Sequence, residues 1–144
     1  MNKKSLNILC VADVSIGKVI GGAERALFEY STRLAQRGHS VHILTRTYPW
    51  HTSKIETVKG VREWRFDFDD RDLLRSFYST VLKSRRLFDT LCEKFTFDII
   101  NFHQPFSAFA VACSRKSRPI RKIYTCHSLS FEEYVSRSAK PHSS

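Results

Sequence analysis

Two adjacent glycines, Gly21 and Gly22, separate a short apolar run from a segment with helical periodicity. Residues 6–12 form the apolar run, which is typical of a buried strand. The side chains that recur at helical spacing after the glycines, as an apolar stripe, are Ala23, Ala26, Leu27, Tyr30 and Leu34. Gly38 stands where a helix-ending glycine is expected, and residues 41–45 are typical of the next strand. A strand–loop–helix–strand order of this kind predicts a parallel β-sheet.

The glycine loop is a candidate anion site. It would expose backbone N–H groups at the N-terminus of a helix, where the helix dipole favours negative charge, so a phosphate or pyrophosphate is the expected ligand. Arg25, in the first helical turn, could reach that phosphate; alternatively, it pairs with Glu29 on the helix surface. Gly21 and Gly22 alone would also permit a tight turn with no ligand.

The middle of the chain predicts β-structure followed by a long amphipathic helix. Residues 56–66, around Gly60, predict a strand or a bent hairpin. Residues 71–95 predict the helix, with Asp69 or Asp70 as its N-cap. The expected apolar side of this helix consists of Leu74, Phe77, Tyr78, Val81, Leu82, Phe88, Leu91 and Cys92.

Two histidines follow predicted strands in the last part of the chain. Residues 97–102 predict a strand that ends at His103, and Pro105 suits the first turn of a short helix to about residue 113. Residues 120–125 predict another strand, followed at once by His127. A neutral imidazole at His103 could bind a sugar hydroxyl or transfer a proton; the alternative is a structural hydrogen bond to a neighbouring loop.

The alternation of strands and helices predicts a Rossmann-like, doubly wound α/β fold. We expect a mostly parallel sheet of about five strands with helices on both faces. Ligands of such sheets bind at the carboxyl ends of the strands, where the strand order reverses. The glycine loop, His103 and His127 all follow carboxyl ends of predicted strands, so we expect the functional site at that edge.

The charge balance favours anionic partners. The chain has 24 Lys and Arg against 14 Asp and Glu, a formal charge of +10, which suits phosphorylated ligands, nucleic acid or an anionic membrane. The helix at 71–95 could lie on anionic lipid, or present a solvated basic face over a buried apolar stripe. Nucleic acid is the least favoured partner, because the aromatic residues fall mostly at predicted core positions. No apolar stretch approaches the ~20 residues that span a bilayer, and we expect a cytoplasmic protein.

The cysteines predict neither a metal site nor a disulfide framework. Cys10, Cys92, Cys113 and Cys126 are scattered and lie in apolar surroundings, so we expect reduced, buried, structural thiols and no metal site. The glycines match neither a Walker loop nor the G-x-G-x-x-G pattern.

Four blocks of sequence together carry a family resemblance. They are residues 21–25, 34–45, 97–105 and 124–127, with the sequences GGAER, LAQRGHSVHILT, FDIINFHQP and YTCH. In this order and spacing, from about residue 6 to 134, the chain resembles the N-terminal half of family 4 glycosyltransferases of the GT-B fold. The resemblance implies two Rossmann-like domains with the active site between them, the N-terminal one receiving the acceptor and the C-terminal one binding the nucleotide sugar.

The resemblance also implies roles for individual residues. Gly21 and Gly22 would approach the donor pyrophosphate. His127 matches the family histidine near the reacting carbon of the donor sugar, and would be the catalytic residue. His103 and Arg25 would lie on the acceptor side. The implied reaction retains the anomeric configuration and needs no metal and no cofactor, the nucleotide sugar being a co-substrate.

The chain departs from the family pattern in ways that set the remaining expectations. Residues 1–135 would be an N-terminal domain incomplete at its C-terminal end, and residues 136–144 a flexible polar tail. The family's donor-holding pair of glutamates, eight positions apart, is missing, so we expect a hexosyltransferase-type half that is inactive alone. It would act with a separately encoded C-terminal domain on a glycan or lipid-linked acceptor, in the cytoplasm and peripherally at the inner membrane face. The alternatives are an inactive truncated remnant that at most binds a ligand, and a basic domain that binds membranes or nucleic acid.

Overall fold

A computed structural model describes residues 3–19 and 21–126 as a mixed α/β structure. The strands are β1 (Asn7–Val11), β2 (Ser40–Arg46), β3 (Ile55–Val58), β4 (Val61–Phe66), β5 (Ile99–Phe102) and β6 (Arg121–Tyr124). The helices are α1 (Gly22–Gln36), α2 (Leu73–Lys94) and α3 (Pro105–Ala112), and a 3₁₀ turn spans Arg115–Ser117.

The described strands form one sheet in the order β3-β4-β2-β1-β5-β6. All neighbouring strands are parallel except β3 and β4, which are antiparallel. The central strand β1 pairs with β2 on one side and with β5 on the other, so the chain winds outwards in both directions from it. The predicted doubly wound, mostly parallel fold is confirmed. The sheet has six strands where about five were expected, because residues 56–66 contribute a hairpin of two strands.

A two-residue turn at Lys59 and Gly60 makes that hairpin. Both residues have positive φ, 45° and 82°, which matches the right-handed twist of antiparallel strands. Val58 pairs with Val61 across the turn. The strand β3 therefore folds back along β4, and it forms one edge of the described sheet.

Helix α1 ends as its sequence predicts. Gly38 has a φ of 91°, a left-handed conformation that glycine adopts without a Cβ clash. The N–H of His39 donates to the carbonyl of Leu34, and the N–H of Gly38 to that of Ala35, which together form a Schellman motif. The His39 ring is structural, since its Nδ1 accepts a hydrogen bond from the N–H of Leu6 at 3.1 Å.

The core lies on both faces of the sheet. Helix α1 packs on one face, whose buried side chains are Ile8, Cys10, Ala12, Ile16, Leu27, Val41, Ile43 and Val61. Helices α2 and α3 cover the other face, whose buried side chains are Leu9, Val11, Leu44, Trp64, Phe66, Phe88, Leu91, Phe97, Ile100, Phe102, Ala108 and Val111. Helices on both faces confirm the predicted layering.

The buried side of α1 is more polar than its periodicity suggests. Ser31 and Thr32 are buried, whereas Ala26 and Tyr30, expected in the apolar stripe, are exposed. The buried hydroxyls donate to backbone carbonyls one turn earlier, at 2.7 Å each. Both are therefore satisfied within the helix, and the helix can turn this face towards the sheet.

Helix α2 differs from its prediction at its N-terminal end. Its N-cap is Asp72, which accepts a hydrogen bond from the N–H of Arg75 at 2.8 Å, and not Asp69 or Asp70. Leu74 and Tyr78 were expected on the apolar, buried side, but they are 80% and 70% exposed. The buried residues of the helix begin at Thr80, and Phe88 and Leu91 in its second half pack in the core. None of the helices in the described part of the chain is both long and apolar enough to cross a membrane.

The prediction of four buried thiols is correct for only part of the set. Cys10 is fully buried, and burial raises the pKa of its thiol to about 12. Cys92 is half-buried, and burial raises its pKa to about 11. Cys113 and Cys126 are exposed, because one lies at the end of α3 and the other follows the exposed strand β6.

Candidate functional site

The strand order reverses at β1, and the loops after β1 and β5 meet at its carboxyl end. The N–H of His103 donates to the carbonyl of Val11 at 3.0 Å. The N–H of Asp13 donates to the side-chain oxygen of Gln104 at 2.5 Å. These bonds join the two loops at the switch point, which is where doubly wound sheets bind their ligands.

The glycine pair begins helix α1 and leaves its first turn open. Gly21 is the N-cap in an extended conformation, and no side chain caps the helix there. A Cβ added at Gly22 would meet nothing within 4 Å, whereas one at Gly21 would lie 3.0 Å from a carboxylate oxygen of Glu24. Gly21, Gly22 and Arg25 together line a shallow depression of about 280 Å³ with Val19. The predicted anion-binding residues are thus brought together at a positively polarised helix end.

A second, more apolar groove lies at the same edge of the sheet. It encloses about 310 Å³, and its lining residues are Asp13, Arg46, Leu73, Leu74, Ser76, Phe77, Thr80 and Phe106. The Arg46 guanidinium is 5.1 Å from the ring centre of Tyr48 and 4.7 Å from that of Phe68. Burial raises the pKa of Asp13, although the nearby Ser107 hydroxyl and the charge of Arg46 oppose that shift. The groove therefore combines apolar walls with one acidic side chain, Asp13, and one cationic side chain, Arg46.

Asp13 and Arg46 were not predicted as site residues. Each comes directly at or after the carboxyl end of a strand, Arg46 as the last residue of β2 and Asp13 two residues after β1. The signal that singled out His103 and His127 was therefore present for these two residues as well. A charged side chain that follows a buried parallel strand is as informative there as a histidine.

A buried carboxylate anchors the loop that precedes the glycines. Glu63, on β4, is 0% exposed and accepts hydrogen bonds from the hydroxyl of Ser15 at 2.6 Å and the N–H of Ile16 at 2.9 Å. Its charge is balanced by Arg65, whose Nε lies 2.7 Å from the same carboxylate. Arg65 also donates to Glu56 at 2.6 Å. The network connects the β1 loop to the neighbouring hairpin. Glu63 could have been found from the sequence, because the alternation of β4 puts it on the buried side of the strand.

His51 completes this network as a neutral ring. Its Nδ1 accepts a hydrogen bond from the N–H of Tyr48 at 2.9 Å, so the proton of the neutral imidazole lies on Nε2, which is 3.0 Å from the hydroxyl of Ser15. Burial and the nearby Arg65 lower the pKa of His51, against the opposing charge of Glu63. The ring therefore supports the β1 loop through its hydrogen bond with Ser15.

Comparison with known proteins identifies the family. The model of Glycosyltransferase Family 4 matches residues 20–143. The chain belongs to glycosyltransferase family 4. The structure of this family 4 domain is similar to that of sucrose-phosphate synthase from Thermosynechococcus elongatus, with a TM-score of 0.75 and 17% sequence identity. That match covers 94% of this chain and 36% of the synthase, so the chain spans about a third of that protein. A search of curated proteins found no match.

At 17% identity the likeness to the synthase shows the fold alone, which is the Rossmann-like half of a GT-B fold expected from the sequence. The recognition of family 4 from the four sequence blocks is confirmed by the family match. The substrates of the synthase are not transferred to this family 4 domain by that likeness.

Of the two histidines of the predicted site, the structure of this family 4 domain describes only His103. His103 is 4% exposed, and its ring lies edge-on to that of Tyr30, with 5.8 Å between the ring centres. Its burial leaves little of its surface accessible, and it is not among the described residues that line the groove. His127 lies outside the described residues, as does the tail at 136–144.

Proposed function

We propose that this chain supplies the acceptor side of a retaining, hexosyltransferase-type glycosyltransferase. The enzyme would move a sugar from a nucleotide sugar to a glycan or a lipid-linked acceptor. Membership of family 4 supports the transferase class. The observation that carries the proposal is the open N-terminus of α1 at Gly21 and Gly22, on the sheet edge that also bears the Asp13 groove.

The donor diphosphate is proposed to bind at the start of α1. Its oxygens would accept hydrogen bonds from the first-turn N–H groups, and the helix dipole and Arg25 would offset their charge. The free space beside Gly22 supports this role, because a phosphate must approach the backbone closely. His127 is proposed to face the reacting sugar carbon, as the family resemblance implies. The proposed reaction uses no metal and no cofactor.

The acceptor is proposed to bind in the groove between α2 and α3. Asp13 can accept a hydrogen bond from the attacking hydroxyl, and its raised pKa brings it nearer to a proton acceptor's working range. Arg46 can bind an anionic group of the acceptor. The acceptor-side role of His103 is proposed from the family resemblance alone, since its ring packs on Tyr30 of α1 and does not line this groove. The remaining donor contacts are proposed to come from a separate C-terminal Rossmann-like domain, which would close over the cleft and exclude water.

Amide chemical shifts of the ¹⁵N-labelled chain, titrated with inorganic pyrophosphate and then with nucleoside diphosphate sugars, would test the donor site. We expect shifts at the amides of Gly21, Gly22 and Ala23, with the amide of Gly38 at the far end of α1 as an internal control. Gly22→Ala should weaken binding without loss of fold, because its methyl enters the space that the phosphate needs. Unchanged first-turn amides at millimolar ligand, or equal binding by Gly22→Ala, would count against the donor site.

A further inference from the structure

An exposed tryptophan stands in the loop that follows β2. Trp50 is 40% exposed, and its ring stacks on that of Tyr48, with 4.6 Å between the ring centres and 14° between the ring planes. The Lys18 ammonium lies 5.3 Å from the centre of the Trp50 ring. We call Tyr48, Trp50 and Lys18 the stacking platform. An indole that rests on another ring in this way presents its remaining surface to a ligand.

A tight turn holds the platform in place. The N–H of His51 donates to the carbonyl of Tyr48 at 3.0 Å, which closes a four-residue turn with Pro49 in its second position. The N–H of Tyr48 donates to Nδ1 of His51 at 2.9 Å, and the Tyr48 hydroxyl donates to the carbonyl of Asp13. Trp50 is therefore fixed before a ligand arrives, so its ordering adds little to the cost of binding.

The platform contacts both parts of the proposed site. Arg46, which lines the groove, donates from Nε to the Tyr48 hydroxyl at 3.1 Å. Lys18 directly precedes Val19, which lines the depression at the start of α1. Because Tyr48 is in contact with both Arg46 and Trp50, a glycan that occupies the groove can extend onto Trp50.

The chemistry of the platform indicates a sugar ring that carries a charge. The C–H groups on the face of a pyranose are weakly positive, and they pack on the electron-rich face of an indole. Lys18 is exposed, and it belongs to none of the ion pairs found among the described residues. In a uronic acid the carboxylate is attached directly to the pyranose ring. One such residue presents its C–H face and its charge side by side, as Trp50 and Lys18 lie in the structure.

We propose that the stacking platform binds a uronic-acid residue of an acidic glycan acceptor, with the pyranose ring on Trp50 and the carboxylate paired with Lys18. Because this role rests on the proposed function, in which the groove receives the acceptor, it narrows that acceptor to a polyanionic glycan. Arg46 binds the carboxylate of a further residue of the same glycan, since its planar guanidinium matches a carboxylate.

The intrinsic fluorescence of the full chain would test the platform. Trp64, the other tryptophan, is 6% exposed, so a ligand-dependent change in emission reports Trp50. We expect hexagalacturonate and a hyaluronan hexasaccharide to change the emission, with affinities that fall as salt rises. Neutral maltohexaose should bind roughly tenfold or more weakly, because it lacks the charge that pairs with Lys18. Hexaglutamate, which has the charge without sugar rings, should leave the emission unchanged. No binding of either uronate oligosaccharide at millimolar concentration, or equal binding of maltohexaose or hexaglutamate, would overturn the proposal.

Calorimetric titration of variants would assign the two contacts. Trp50→Ala should weaken hexagalacturonate binding roughly tenfold or more, and Trp50→Phe should recover part of that loss because it keeps an aromatic face. The matched control is Phe109→Ala, which removes a 57% exposed ring that is not among the described residues lining the groove. Lys18→Ser should weaken the binding of hexagalacturonate and not that of maltohexaose, whereas Lys4→Ser removes an exposed lysine elsewhere and should change neither. Equal losses in Trp50→Ala and Phe109→Ala, or in the two lysine variants, would contradict the platform.

Failure of the platform is distinguishable from failure of the proposed function. The pyrophosphate shifts of the first-turn amides of α1 test the donor site and need no glycan. Those shifts without uronate binding would overturn the platform and leave the donor site supported. Uronate binding that Trp50→Ala abolishes, without pyrophosphate shifts, would support the platform and contradict the donor site.

Discussion

The backbone N–H of Ile16 donates a hydrogen bond to the carboxylate of Glu63, with 2.9 Å between the nitrogen and Oε2. A residue of the β1 loop is thereby held by a fully buried acid two strands away in the sheet, since β2 lies between β1 and β4. Glu63 therefore holds the loop that leads to the glycine pair. Removing this acid should lower the stability of the fold.

Glu63→Ala should lower the free energy of unfolding by about 3–5 kcal/mol, because it removes the only fully buried carboxylate partner of Arg65 among the described residues and the acceptor for Ser15 and Ile16. Urea denaturation followed by circular dichroism would measure the loss. Glu56→Ala is the matched control, since its side chain is 48% exposed and should contribute less than about 1 kcal/mol. Equal losses in the two variants would contradict the view that burial makes the Glu63–Arg65 pair contribute more to the free energy of unfolding than the Glu56–Arg65 pair.

Gly38→Ala should destabilise the chain by about 1–2 kcal/mol, because residue 38 has a φ of 91° that an L side chain adopts with strain. Gly22→Ala begins the same helix without a positive φ and with open space, so its effect should stay within about 0.5 kcal/mol. Thermal unfolding of both variants would compare the helix ends. A larger loss for Gly22→Ala would contradict the helix geometry described here.

Acid should destabilise the fold through His42. Burial, together with the charge of Arg62, lowers its pKa from 6.5 to about 4 in the folded chain. Between these values the unfolded chain binds a proton that the folded chain does not, so stability falls by about 3 kcal/mol as the pH falls from above 6.5 to 4. His42→Asn, which can still accept the Trp64 indole hydrogen bond, should lose this part of the pH dependence. Parallel stability–pH curves for the two proteins would refute the assignment.

Phe88→Ala should cost about 3–5 kcal/mol, because Phe88 is 0% exposed in the core between α2 and the sheet. Phe109→Ala removes the same ring from a position that is 57% exposed, and should cost less than about 1 kcal/mol. The urea midpoints of both variants, compared with that of the unchanged protein, would measure these losses. Similar costs would contradict the difference in burial between Phe88 in the core and Phe109 on the exposed side of α3.

The fold was predictable because its signals are local. The Gly38 helix end, the Pro105 helix start and the apolar runs of the central strands each depend on neighbours in sequence, and each is found as expected. The sequence around Lys59 and Gly60 suits a hairpin but also a strand without a turn, so local signals alone do not distinguish the two. The positive φ values of these two residues decide the matter, and they come from the pairing of Val58 with Val61.

The site was less predictable because its contacts join distant residues. Glu63 and Ser15 are 48 positions apart, and only the strand order brings them to 2.6 Å. The exposure of Leu74 and Tyr78 likewise depends on which part of α2 packs on the rest of the fold, which helical periodicity does not specify. Periodicity shows that a helix has an apolar side, but not whether the protein itself covers it.

The central position of β1 sets an order of events during synthesis. Of the described strands this one leaves the ribosome before the others, yet it pairs with β5, whose Ile99 lies opposite Ile8. At ordinary translation speed roughly 5–20 s separate the two, and for that time one side of β1 lacks its neighbour. Nascent chains stalled before residue 99 should therefore be far more sensitive to protease than those stalled after the whole of β5 has emerged.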